Sequence, residues 1–143
     1  MKRTARAVWK GSGTEGSGNL TTQSGAFENQ PYSTKMRFEN EDGKQGTNPE
    51  EMIAAAHAGC FTMALGVALE GAGFTAETLD TNAELTLSKV NGGWEIKTIA
   101  LELKASVPDI SEDEFSEIAK GAKDGCPVSK LLNCEITLDY TLL

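Results

Sequence analysis

Thr47-Asn-Pro-Glu-Glu-Met-Ile-Ala-Ala-Ala-His-Ala-Gly-Cys-Phe61, with the apolar run that continues to Leu69, decides how the rest of the chain is read. It opens with helix-start chemistry: Asn48 can cap, Pro49 suits the first helical position, and Glu50 and Glu51 lie where the helix dipole favours negative charge. From Ile53 to Leu69 no residue is charged, and Ala and Gly dominate. A helix that is apolar all round must be covered all round. Cys60 sits at its centre, so the helix is both a core element and the carrier of a thiol.

Working outward, the residues before it read as strands. Ala5–Lys10 is a short alternating run, Gly11 to Gly18 a turn-rich break, and Asn19–Ser24 the return strand of a hairpin. Gln30 to Phe38 is expected to be a third extended stretch, followed by a polar loop to Thr47. The helix is expected to run from Pro49 to about Glu70 and to stop at Gly71 and Gly73. Beyond it, Ala83, Leu85 and Leu87 alternate with polar residues, and Asn91-Gly92-Gly93 marks a hairpin turn. The return strand places Trp94 and Ile96 in one phase but Ile99, Leu101, Leu103, Ala105 and Val107 in the other. A two-residue period changes phase only through an extra residue, so a β-bulge is predicted near Lys97–Thr98.

Ser111-Glu-Asp-Glu114 is a capping box that opens an amphipathic helix carrying Phe115, Ile118, Ala119 and Ala122. A short helix is expected from Cys126-Pro127, and a last strand alternates Cys134, Ile136, Leu138, Tyr140 and Leu142 with polar residues. The order β-β-β-α-β-β-α-α-β predicts a single α+β domain over residues 1–143. One six-stranded sheet would cover only one face of the long apolar helix. A second copy of the chain would cover the other, which predicts an intimate homodimer.

The chain has 143 residues and a net charge of −8. Its 13 Lys and Arg are scattered, which argues against a nucleic-acid partner. The uncharged run Ile53–Leu69 lies at the low edge of bilayer-spanning length; His57, its glycines and its acidic flanks argue against a membrane span. The basic start Met-Lys-Arg-Thr-Ala-Arg leads into no hydrophobic region, so a cytoplasmic protein is expected. Three cysteines at wide spacing make no disulfide framework, and one histidine without a C-x-x-C makes no zinc site, so neither metal nor cofactor is expected.

The three thiols read differently. Cys134 shares the inward parity of the last strand and reads as a packing residue. Cys60 lies about 15 Å along its helix, where the dipole no longer helps, and burial would raise its pKa. It is either core or a reactive thiol that borrows a cation from elsewhere. Cys126, at a helix start in Gly125-Cys126-Pro127, is the position an isolated reading would choose as nucleophile. His57, one turn before Cys60, allows a Cys/His thiol hydrolase or acyl transferase, although a hydrogen-bonded helix histidine is the plainer reading. A non-catalytic dimer that binds small apolar molecules is the third possibility.

The block T-N-P-E-E-M-I-A-A-A-H-A-G-C-F, followed far downstream by G-C-P-V-S, resembles the osmotically inducible protein C and organic hydroperoxide resistance (OsmC/Ohr) family. The likeness spans the chain from the Trp9 strand to the closing I-T-L-D-Y. It implies an OsmC-like fold, with antiparallel sheets packed around long central helices in an intertwined homodimer. It also implies an organic hydroperoxide reductase in which Cys60 is the peroxidatic thiol and Cys126 the resolving one, reset by a dithiol of lipoyl type. Arg37 matches the arginine that activates the thiol, and Glu50 the carboxylate that orients it; the place of Arg37 resembles the OsmC branch. Around the helix, Glu50 lies about 80° from Cys60 and Glu51 about 180°, which favours Glu50. Neither can touch Cys60 along one straight helix, so Arg37 would bridge them or the two would come from different chains. Phe38 and Phe61 are candidate walls of an apolar substrate pocket, and the uncharged surroundings of Cys60 suit organic hydroperoxides better than hydrogen peroxide.

Overall fold

A computed structural model describes all residues, Met1–Leu143, and divides them into two compact units, Met1–Met52 and Ile53–Leu143. In the first unit, β1 (Ala5–Lys10), β2 (Ser17–Thr22) and β3 (Gln30–Ser33) form an antiparallel sheet in that order. Gly18 on the middle strand pairs with Trp9 on one side and Tyr32 on the other. A Cβ there would lie 1.9 Å from the Val8 carbonyl oxygen, so only glycine fits. The two flanking rings meet with centroids 5.4 Å apart. No large apolar side chain of this unit is buried.

The stretch after β3 corrects the sequence expectation. Gln30 to Phe38 is not one extended segment: α1 (Thr34–Phe38) follows the strand directly. Ser33 caps it, its hydroxyl accepting from the Met36 N–H at 3.0 Å. Five residues are too few for a helical period to show in sequence. The long helix α2 (Pro49–Gly71) then starts as expected, with the Asn48 side chain accepting from the Glu51 N–H at 2.8 Å. Its end runs through Gly71, and Gly73 takes the left-handed conformation with φ +91°.

In the second unit, α2 turns His57, Phe61, Leu65 and Leu69 inward at four-residue spacing. Each fully buried Phe or Leu contributes about 1.5–3 kcal/mol by leaving water. The helix is long and apolar enough to cross a membrane, but this stripe is occupied by protein. The opposite side leaves Met63 and Val67 about 70% exposed.

The stripe shares one core with Ile99, Leu101 and Leu103 of the sheet and with Phe115, Ala119 and Ala122 of α3 (Glu112–Gly125). The sheet runs β4 (Thr78–Val90), β5 (Gly93–Ser106), β6 (Glu135–Leu142). Asn91 and Gly92, both at positive φ, close the β4–β5 hairpin. The predicted bulge is present: Thr86 pairs with Thr98 and Leu87 with Ile96, which leaves Lys97 as the extra residue. Ser111 and Glu114 form both bonds of the capping box that opens α3.

Two features depart from the expected architecture while the α+β class stands. The strands form two sheets of three rather than one of six, and β6 pairs with β5 in parallel. A parallel neighbour needs a crossover, which α3 and α4 (Pro127–Leu131) supply. Cys134 packs against the core just before β6, as its parity predicts.

Candidate active site

Two of the three thiols meet. Cys60 comes from the middle of α2 and Cys126 from the residue that caps α4, and their sulfurs lie 3.0 Å apart, both as free thiols. A disulfide would require about 1 Å of further approach. Pro127 after Cys126 fixes the first helical residue and sacrifices no hydrogen bond there.

The two environments differ. Burial pushes the Cys60 pKa up, and the neighbouring Cys126 sulfur adds to this; the Val128 N–H acts in the opposite direction without reversing it. Burial also acts upward on Cys126. It is outweighed there by the Cys60 thiol, the Ser129 N–H and hydroxyl and the Val128 N–H, all of which favour the thiolate, so the net shift is downward. The Cys126 side chain closes no capping hydrogen bond of its own helix. Of the pair, Cys126 ionises more readily, as its helix-start position suggests.

His57 does not contact Cys60 through a hydrogen bond. It is fully buried, its Nε2 lies 2.8 Å from Ser129 Oγ, and its Nδ1 has no partner. Burial lowers its pKa, so it is neutral. An orphaned buried ring nitrogen costs about 1–3 kcal/mol. A hydrolytic base would need an orienting group at that nitrogen. Ser129 is the residue of this cluster that sequence reasoning missed. Its signal was spacing: in Gly125-Cys126-Pro127-Val128-Ser129 it stands one helical turn beyond Cys126.

The first unit holds the other expected pair. Arg37 of α1 and Glu50 in the first turn of α2 make a two-pronged ion pair, with Nε–Oε2 at 3.1 Å and Nη2–Oε1 at 2.5 Å. This geometry fixes the guanidinium plane. The Arg37 side chain is 34% exposed, so its charge keeps a face toward solvent. Arg37 also stacks over the Phe38 ring at 4.8 Å. Both line a cavity of about 270 Å³ with Trp9, Tyr32 and Pro49. Phe38 therefore stands at a cavity. Phe61 does not: it has no accessible surface and serves the core, because its position on α2 falls in the inward stripe.

The profile of OsmC-like proteins matches residues 41–141. The chain belongs to the OsmC-like family. It is 48% identical to peroxiredoxin OsmC of Escherichia coli K12 over 142 residues, which cover 99% of this chain and 97% of that protein. It is 28% identical to organic hydroperoxide resistance protein OhrB of Bacillus subtilis over 79% of each chain. Among solved structures, the OsmC-like protein of Mycoplasma pneumoniae superposes with TM-score 0.78 at 18% identity, covering 100% of this chain and 98% of that one. The Bacillus subtilis OhrB structure gives 0.70 at 24%, covering 96% and 98%. At such identities the structures establish the shared OsmC/Ohr-type fold.

Proposed function

We propose that this protein is a thiol-dependent peroxidase that reduces organic hydroperoxides to alcohols. The observation that carries the reading is the 3.0 Å approach of Cys60 and Cys126 in a chain nearly half identical to a peroxiredoxin. The Cys60 thiolate attacks the distal oxygen of the hydroperoxide, the O–O bond breaks, and the departing alkoxide takes a proton to leave as alcohol. Cys60 is left as a sulfenic acid. Cys126 then attacks the Cys60 sulfur, the S–O bond breaks, and the released hydroxide is protonated to water. The resulting disulfide is reduced by exchange with an external dithiol of lipoyl type.

In this reading Arg37, oriented by Glu50, supplies the positive charge that Cys60 lacks within its own helix, and Phe38 faces the substrate's apolar part. The working form is a homodimer. Its support is the exposure of Met63 and Val67 on α2 and a first unit that buries no large side chain of its own, both of which call for cover. A cytoplasmic setting, where thiols are kept reduced, suits the cycle. The hydrolase reading loses ground because His57 bonds to Ser129 and its Nδ1 has no orienting acid.

Steady-state turnover with dihydrolipoamide tests the reading. Alcohol formed from cumene hydroperoxide, with a higher kcat/KM than for hydrogen peroxide, is expected. Equal, background-level consumption of both peroxides would refute it.

A further inference from the structure

The polar contact between α2 and α4 has no part in the two-thiol scheme above. On α2, His57 precedes Cys60 by three residues; Ser129 follows Cys126 by the same interval. The two helical segments therefore present matching pairs one turn apart, His57 against Ser129 at 2.8 Å and Cys60 against Cys126 at 3.0 Å. His57 is fully buried, and its one hydrogen bond is spent on Ser129.

We propose that His57 and Ser129 form a hydrogen-bond relay that prepares Cys126 for the resolving step. Proton counting sets its direction. A serine hydroxyl carries one proton, and a neutral imidazole has one donor and one acceptor. If Nε2 accepts from Ser129, the hydroxyl proton is used up and cannot serve a thiolate. If the Nε2–H donates to Ser129 Oγ, the hydroxyl proton is free to turn toward the Cys126 sulfur. The unpartnered Nδ1 is then a bare acceptor rather than a buried N–H. Ser129 stands one helical turn after Cys126 on α4, and its hydroxyl is among the groups that shift the Cys126 pKa downward; both agree with the second arrangement.

His57 is thus a positioning residue acting through Ser129, and the relay rests on the peroxidase reading. It moves no electrons. In the resolving step the S–S bond forms and the Cys60 S–O bond breaks. The proton formerly on Cys126 is balanced by the one that converts the departing hydroxide to water. Once the disulfide has formed, the Ser129 hydroxyl loses its anionic acceptor while its oxygen keeps the hydrogen bond from the His57 Nε2–H.

Stopped-flow single turnovers with cumene hydroperoxide separate the two steps, with sulfenic acid trapping reporting the first and disulfide formation the second. In His57→Leu and Ser129→Ala, disulfide formation is expected to slow about tenfold, the scale of one hydrogen bond to a charged group. Sulfenic acid formation should keep its rate. The double variant should be no slower than Ser129→Ala alone, since the histidine acts through the serine. His57→Gln, whose side-chain amide can also donate, should restore much of the rate. Disulfide formation at the wild-type rate in Ser129→Ala, or equal slowing of both steps, would overturn the relay.

A second readout needs no peroxide. In a Cys60→Ser, Cys134→Ser protein, the ultraviolet thiolate absorbance reports Cys126 alone. It should fall at fixed pH when His57→Leu or Ser129→Ala is added, and an unchanged absorbance overturns the proposal. A wild-type protein in which cumene hydroperoxide leaves Cys60 unoxidised refutes the peroxidase reading instead, whatever the absorbance shows.

Discussion

The middle of α2 and the start of α4 each present a thiol to the same point, yet they treat it oppositely. Cys60 has 23 residues of helix around it whose N–H groups are consumed internally, and burial raises its pKa. Cys126 caps a helix of five residues, with the Val128 and Ser129 N–H groups and the Ser129 hydroxyl near its sulfur, and its pKa is lowered despite greater burial. Depth in the fold does not make a thiol reactive; unspent donors and nearby positive charge do. The long helix gives Cys60 position and apolar surroundings, and its activation has to be supplied from outside that helix.

The most severe way to break this contrast is to remove each thiol in turn. Cys60→Ser should reduce hydroperoxide turnover to the uncatalysed background in a coupled dithiol assay. Cys126→Ser should preserve the first oxidation in a single turnover but stall later ones, with Cys60 progressing to sulfinic acid, read by intact-mass spectrometry.

Removing the outside charge comes next. Arg37→Ala should slow Cys60 oxidation by about a hundredfold at neutral pH, the scale of a pKa change of about two units. The sign follows from the raised Cys60 pKa. The rate should climb as pH rises and the thiolate forms, and Arg37→Ala should displace that climb to higher pH. A pH–rate profile unchanged in Arg37→Ala would show that Cys60 is activated from within its own unit.

Stability should divide the same two regions. Phe61→Ala, which empties a fully buried site beside Cys60, should cost about 3–5 kcal/mol in denaturant unfolding. Leu131→Ala on α4, where the side chain is 79% exposed, should change stability by about 0.5 kcal/mol or less.

Much of the second unit was legible because its signals are local. The phase change between Ile96 and Ile99 requires a bulge, and Lys97 is the residue left over. The Ser111–Glu114 box and the Asn91-Gly92 turn each specify a conformation within four residues. The parallel pairing of β6 with β5 has no such signal, because a strand's alternation gives its faces but not its neighbour. Phe61 was misplaced for a related reason: a helix without a polar face does not reveal which stripe turns inward. Resemblance singled out Cys60 and Cys126, which meet in the second unit, and Arg37 and Glu50, which pair in the first. Ser129 escaped because a lone serine gains meaning only when His57, from a distant helix, is placed against it.

Mass spectrometry after one equivalent of cumene hydroperoxide, with a sulfenic-acid trap present, tests the division of roles most directly. The wild-type protein should yield a Cys60–Cys126 disulfide, Cys126→Ser a trap adduct on Cys60, and Cys60→Ser no adduct. An adduct on Cys126 in Cys60→Ser, formed as fast as the wild-type disulfide, would contradict the account and make the readily ionised thiol the one that meets the peroxide.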